Sequence, residues 1–171
     1  MTASGPLVAS LYLVPALVWA IITRQLWAYL RTGRPRSPTF NVFRLATSAI
    51  TLHLFSHVAL ALVPVGNGSA LALGLGLARD LTLLATVALG RHAIRLMPIP
   101  ERSPGPGWLA ANYGVAAAAG LLVTLAHAVA GAATAPGETL GRFCAQPFLL
   151  LCLGEGWRTA RPGARGPEGA I

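Results

Sequence analysis

The fold class that this sequence predicts is all-α: a polytopic transmembrane helical bundle of about five helices. Hydrophobic residues make up 54% of the 171 residues, charged residues only 11%, and the mean hydropathy is +0.62. A soluble domain of this size needs a more highly charged surface. Long apolar runs alternate with arginines, which is the pattern of a chain that crosses a bilayer several times.

The apolar runs define a single transmembrane domain over residues 1–157. A hydrocarbon core of about 30 Å requires about 20 apolar residues in a helix, and four runs reach that length. The fifth run is shorter, contains Pro147, and is also compatible with a re-entrant or interfacial helix. The expected spans are about 7–30, 42–63, 70–90, 108–131 and 140–157, followed by a disordered tail over 158–171.

The first run is predicted to be a permanent helix. A secretory signal peptide begins with a basic region, whereas Met1 to Pro6 carries no basic residue. Trp27 and Tyr29 lie at the end of the run, where aromatic residues commonly mark the membrane–water interface. We therefore expect this segment to stay in the protein as its first span.

The placement of the arginines predicts the orientation. Eleven of the 13 fall into segments 24–44, 91–102 and the tail, which lie on one side of a five-span topology. Arg142 is the one arginine in the opposite loops, and Arg79 lies within the third span. Because basic residues are retained on the cytosolic side, we expect the N-terminus outside and the C-terminus inside. The predicted location is the inner (plasma) membrane, crossed several times.

Composition also argues against several other classes of protein. All 13 basic residues are arginine, and with abundant Ala, Gly and Pro this indicates a GC-rich coding sequence and a bacterial origin. The net charge of +8 is spread between apolar runs, so nucleic acid is not an expected partner. Cys144 and Cys152 lie about two turns apart in one apolar run, where they cannot pair and are read as small buried hydrophobes.

Helix packing in lipid depends on close backbone approach and on interhelical hydrogen bonds. Small residues recur every fourth position in the third and fourth spans, either as packing seams or as a chance result of an Ala-rich composition. These stripes are Ala70, Gly74 and Ala78, and Ala110, Gly114 and Ala118. Asn112, Tyr113 and Gln146 are expected to form hydrogen bonds between helices.

Arg79 and Asp80, near the middle of the third span, are the sharpest feature of the sequence. A charge at mid-membrane costs at least about 2.5 kcal/mol on insertion scales, so both should face protein or water. Adjacent residues of a helix point about 100° apart, and we therefore expect each to need a partner elsewhere. A structural ion pair between helices is the simpler alternative to a functional site.

Three histidines are expected at a similar depth to this pair. His53 and His57 share a face of the second span, and His127 lies in the outer half of the fourth. His53, His57, Arg79, Asp80 and His127 are therefore predicted to converge as a ligand-binding or proton-relay site. His92, beside two arginines at the cytosolic end, is read as a contact to lipid headgroups.

The chemistry of such a cluster leaves several alternatives open. His53, His57 and His127 with Asp80 form a possible set of ligands for zinc or another transition metal. His57 and His127 are alternatively axial ligands of a haem b, with Arg79 near its propionates. Hydrogen-bonded packing without any cofactor is the simpler interpretation of each single histidine. Ser48 and Ser56 lack the surroundings of a nucleophile, so no enzyme is expected.

The first apolar helix is followed by a basic, proline-containing loop and then by a new span. The loop reads Arg34-Pro-Arg-Ser-Pro-Thr-Phe40. This arrangement resembles a known one. Over about residues 7–97 it is similar to the membrane input regions of bacterial sensor histidine kinases and similar actinobacterial membrane proteins. The predicted topology, together with Arg79, Asp80 and the three histidines, leads us to expect a non-enzymatic sensor, input module or accessory subunit for signal transduction. A membrane or cytosolic partner protein, or a homo-oligomer, is then expected besides the lipid bilayer. The alternatives are a haem- or metal-binding electron-transfer subunit and a small oligomeric transporter or channel.

Overall fold

The structure is a computed structural model, and it describes residues 4–29, 37–62, 70–96 and 104–130 together with five single positions. Those positions are Gln146, Leu150, Leu153, Gly154 and Trp157. The helices are α1 (Ser4–Tyr29), α2 (Pro38–Leu62), α3 (Ala70–Leu96) and α4 (Pro106–Ala130). Among the described residues there is no strand, and the prediction of an all-α fold is confirmed.

All four helices are long and apolar enough to cross a membrane, with candidate spans of 24 to 27 residues. At about 1.5 Å per residue, each exceeds the 30 Å of a hydrocarbon core. Their outward faces are apolar: on α1, for example, Leu7 and Leu11 are 65% and 67% exposed. Such surfaces are suited to lipid and not to water, and four of the predicted spans are thereby confirmed as membrane-compatible helices.

The described helices pack in a row, in chain order. α1 contacts α2, α2 contacts α3, and α3 contacts α4; within the described residues, no other pair of helices touches. Neighbours are antiparallel, because the residue number rises on one helix as it falls on the other. Tyr12 meets His57, for example, whereas Trp27 meets Ser48. One end of the row therefore holds the α1 N-terminus and the α4 C-terminus, and we call it the predicted outer end.

Local capping sets where α2 and α4 begin. Ser37 precedes α2, and its hydroxyl accepts a hydrogen bond from the backbone N–H of Phe40 (3.2 Å). Pro38 follows as the first helical residue, where its missing N–H costs nothing. At α4, Pro106 takes the same position, and the N–H of Leu109 donates to the carbonyl of Gly105 (3.1 Å). Both helices consequently start a few residues earlier than the apolar runs suggested.

The third helix is longer than the predicted span of 70–90 and continues to Leu96. Its last two turns bury Ala93 (3% exposed) and Leu96 (1%). Arg91 and Arg95 do not end the helix, because their guanidinium groups lie over the ring of Trp108 at the start of α4. A long arginine stem can thus accompany a helix out of the apolar zone while its charge reaches the interface.

The seam between α3 and α4 does not use the predicted small-residue stripes. All six residues of those stripes are exposed, and the space beside Gly74 and Gly114 is open. The core consists of Leu84, Ala119 and Val123. Gly120 provides the close approach, since a Cβ there would lie 3.2 Å from Leu81.

The fifth predicted span, 140–157, lies mostly outside the described residues. The single positions described there are helical and exposed, among them Gln146, for which an interhelical hydrogen bond was expected. The tail 158–171 and both cysteines also lie outside the described residues. The fifth crossing and the orientation therefore stay predictions.

Candidate functional site

Asp80 is the centre of a cluster of polar side chains, which we call the polar cluster. Its side chain is 3% exposed, and it lies about 15 Å from the start of α3. Both carboxylate oxygens are occupied: Oδ1 accepts a hydrogen bond from Arg79 Nε (2.8 Å), and Oδ2 accepts one from His127 Nε2 (3.0 Å). A buried charge is tolerated only with such partners.

The prediction that Arg79 and Asp80 do not contact each other, because they are adjacent on the helix, is wrong. Their Cβ atoms do diverge, but the arginine stem is long enough for Nε to return to the carboxylate of the next residue. The Arg79 side chain is 12% exposed, and no other Asp or Glu occurs in the described part of the chain. In a low-dielectric environment an opposite charge is the most favourable partner for Arg79. The two charges of the pair cancel, so the pair is neutral overall.

His127 brings α4 to this pair, as the sequence predicted. Its ring passes over Gly76, where a Cβ would lie 3.6 Å from His127 Cε1. Gly76 and Asp80 are one turn apart on α3, so the imidazole that contacts the carboxylate also packs beside the glycine. His127 is 5% exposed, and it lies one turn beyond the fully buried Val123.

His53 approaches α3 from the other side. Its Nδ1 is 2.9 Å from the backbone carbonyl oxygen of Arg79. A carbonyl can only accept, so Nδ1 carries the proton and donates. The bond joins α2 to α3 at the residue whose side chain holds Asp80.

His57 and Tyr12 extend the polar cluster to α1. The His57 ring lies edge-on to His53, with centroids 4.8 Å apart. It also stacks on the Tyr12 ring, at 4.3 Å and an interplanar angle of 5°. The sequence reasoning missed Tyr12; depth matching would have found it, because it is the first polar aromatic residue of the first span.

The polar cluster thus crosses all four described helices. Tyr12, His57, His53, Arg79, Asp80 and His127 each lie within about 5 to 15 Å of the predicted outer end of their helix. The structure brings the five predicted site residues together, and it adds Tyr12. Whether they bind a ligand or carry protons stays a prediction.

The geometry does not assemble the metal or haem ligands considered above. Among the described residues, no group of three His, Cys, Asp or Glu side chains is placed to hold a metal ion. His127 and His53 direct ring nitrogens to Asp80 and to a backbone carbonyl. His57 and His127 do not face each other, because α3 lies between α2 and α4. The donor set therefore does not fit a haem held between these two histidines.

A second set of polar contacts joins α3 and α4 nearer the opposite end. Asn112, 3% exposed, accepts from Arg91 Nη1 and donates to the carbonyl of Ala88, both at 3.0 Å. His92 Nδ1 is 2.8 Å from the hydroxyl of Tyr113. The interhelical bonds predicted for Asn112 and Tyr113 are confirmed, and His92 has a protein partner, where a headgroup contact was expected.

The same end of α1 and α2 is also held by polar and aromatic contacts. Trp27 Nε1 donates to the hydroxyl of Ser48 (3.0 Å), and the Arg44 guanidinium lies 4.2 Å from the centroid of the Trp27 ring. Thr23 and Thr51 share a hydrogen bond of 3.0 Å one turn further in. Tryptophan with arginine at one end of several helices is typical of a membrane–water interface.

These features define a class: a multi-pass helical membrane protein with a buried ionic cluster among its spans. Comparison with models of protein families, with curated proteins and with solved structures found no match. The membrane character of the chain rests on its four apolar helices.

Proposed function

We propose that this protein is a non-enzymatic membrane sensor, input module or accessory subunit, and that Asp80 in the polar cluster is its site for a proton or small polar ligand. The observation that carries the proposal is the Asp80 carboxylate, which is 3% exposed yet bonded to two ionisable side chains. Ionisable groups inside a membrane are expensive, and they usually mark a function. An anchor that only had to pack could use apolar residues at these positions.

The arrangement of helices suggests how occupation of Asp80 would be transmitted. Among the described helices, α4 contacts α3 alone. Its polar links to α3 include the His127–Asp80 bond near the predicted outer end and the Asn112 and Tyr113 bonds near the other. A proton or ligand that binds Asp80 in place of His127 would break the His127–Asp80 bond. The bonds of Asn112 and Tyr113 would remain and act as a pivot. The outer end of α4 would then move away from α3.

One surface groove lies between α3 and α4 and another between α1 and α2, and residues outside the polar cluster line both. The sensor or accessory role needs only a bistable contact between α3 and α4, biased by occupation of one carboxylate.

Distance measurements between spin labels test this movement. One pair joins Leu62→Cys on α2 and Val129→Cys on α4, both exposed and at the predicted outer end. A second pair joins Leu45→Cys and Ala111→Cys at the opposite end. Cys144 and Cys152 are replaced by serine, and the protein is reconstituted in lipid nanodiscs. We expect acidification to lengthen the outer distance and to leave the inner one unchanged, because a proton bound to Asp80 removes the negative charge to which His127 donates.

Variants of the cluster make the test specific. Asp80→Asn removes the charge that His127 contacts, so its outer distance should be long at every pH. Thr124→Val is the matched control on α4, because the Thr124 hydroxyl donates within its own helix, to the carbonyl of Gly120 (2.8 Å). If the outer distance is independent of pH in the unmodified cluster and unchanged in Asp80→Asn, the cluster is purely structural and the proposal fails.

A further inference from the structure

An apolar groove runs along the surface between α3 and α4, on the side of Tyr113. Its volume is about 400 Å³, and it is lined by α3 from Leu81 to Leu89 and by α4 from Tyr113 to Gly120. This volume falls within the range of small-ligand sites. Gly120 and the alanines between it and Tyr113 make one wall low, so the groove is open to the surroundings of the helices.

The length of the groove matches one leaflet of a bilayer. Leu81 to Leu89 covers about 12 Å of helix, compared with about 15 Å for half of a hydrocarbon core. The groove begins near the middle of α3 and ends towards the predicted inner end. An acyl chain that enters from that interface would therefore fill it without crossing the midplane.

Basic and aromatic side chains lie at the mouth of the groove. Arg95 follows Leu81 and Ala88 at intervals of seven residues, so it continues the stripe of α3 that lines the groove. His92 follows Ala85 in the same way, and its ring is bonded to Tyr113, itself part of the groove wall.

Trp108 holds the basic side chains at this position. The guanidinium groups of Arg91 and Arg95 lie 5.4 Å and 4.7 Å from the centroid of its ring. Arginine stacked on an aromatic ring is oriented in advance for a phosphate group.

The charge at this mouth is complementary to an anion. In the described part of the chain Asp80 is the one carboxylate, and it lies fifteen residues before Arg95, about 22 Å along α3. We propose that the groove and its mouth bind an anionic phospholipid, with one acyl chain between α3 and α4 and the phosphate at Arg91 and Arg95. The site shares no residue with the polar cluster and does not depend on the function proposed for it.

Native mass spectrometry of the full chain, titrated with single lipids in detergent, tests the headgroup part of the site. The probes are phosphatidylglycerol and phosphatidylcholine with identical acyl chains. We expect tighter binding of phosphatidylglycerol, and Arg95→Gln should reduce that preference about fivefold, the contribution of one basic residue near an anionic headgroup. Arg24→Gln is the charge-matched control, since Arg24 is exposed on α1 at the same end. Equal binding of the two lipids, or an equal loss in both variants, would overturn the proposal.

The acyl-chain part is tested by filling the groove. Ala117→Phe places a ring among the lining residues, whereas Ala118→Phe places it on an exposed position beside them. The first variant should lose most phosphatidylglycerol binding and the second should retain it. Glycerol phosphate, which has the headgroup anion without chains, should not compete at millimolar concentration. Effective competition would instead identify a site for free anions, and a dimer dissociated by Ala117→Phe would identify a second copy of the chain as the occupant; either result refutes the lipid.

Discussion

Removing the charge of Asp80 by Asp80→Asn should destabilise the protein by about 3 kcal/mol. Deleting one partner of a buried ion pair costs about 3–5 kcal/mol, because the other charge stays behind without compensation. Asparagine offers one oxygen where the carboxylate offers two, and it carries no charge to balance that of Arg79. The lower end of the range applies because the Arg79 side chain is 12% exposed and its long stem can extend towards the headgroup region.

The second variant in this comparison removes both charges. Arg79→Gln combined with Asp80→Asn leaves no ion in the apolar region, and we expect its stability to lie within about 1 kcal/mol of the unmodified protein. Arg79→Gln alone should be strongly destabilising, because it leaves the carboxylate without a cation. The four proteins form a double-mutant cycle with a coupling energy of several kcal/mol, far above that of independent sites.

Reversible unfolding by steric trapping in bilayers gives these free energies directly. A loss below about 0.5 kcal/mol in Asp80→Asn, the size of an ordinary surface substitution, would mean that the carboxylate is solvated. The burial on which the polar cluster depends would then be refuted. Additive effects of the two single variants would equally refute the ion pair.

Three further predictions concern α3 and α4, and the same unfolding measurement checks each. Thr86→Val should be neutral or stabilising by up to about 1 kcal/mol, because the buried Thr86 hydroxyl has no hydrogen-bond partner among the described residues; a loss above 1 kcal/mol would contradict this. Gly114→Ala should stabilise by about 0.5–1 kcal/mol through helix propensity, whereas Gly120→Ala should gain less, since its methyl group would press on Leu81. Equal gains would contradict the packing described. Asn112→Leu should cost about 1–2 kcal/mol, because it removes two interhelical hydrogen bonds; an unchanged stability would mean that these bonds are not formed.

The sequence predicted the spans well because apolar length is a local property that lipid enforces. It also predicted that the polar cluster converges, since depth along a helix follows from residue number alone. Rotation about the helix axis does not follow from residue number. The stripe of Ala70, Gly74 and Ala78, for which a packing seam was one of two interpretations, is exposed, while Gly76 lies against His127.

The second property that the sequence pattern could not predict is how far a long side chain extends from its helix. Spacing correctly indicated that Arg79 and Asp80 leave the helix in different directions. The pairing of Arg79 with Asp80 depends on the flexible arginine stem and on the lack of another carboxylate in the described residues. The sequence also did not predict that the described helices pack in a row. The apolar runs indicate which segments are helices but not which helices contact one another.

The last prediction concerns which end of the helices faces the cytosol. Antiparallel packing places Trp27 with Arg44 and Trp108 with Arg91 at the same end of the row. The arginine count predicts that this end is cytosolic.

Single cysteines are introduced into the protein in which serine replaces Cys144 and Cys152. Those at exposed positions 62 and 129 should react with an impermeant maleimide on intact cells. Those at 37 and 105 should react only after permeabilisation. The reverse pattern would invert the orientation while preserving every helix contact. Labelling of all four positions on intact cells would place both ends of the row on one side of the bilayer. The helices would then not span the membrane, and the cost of burying Asp80 in lipid, on which its proposed role depends, would no longer apply.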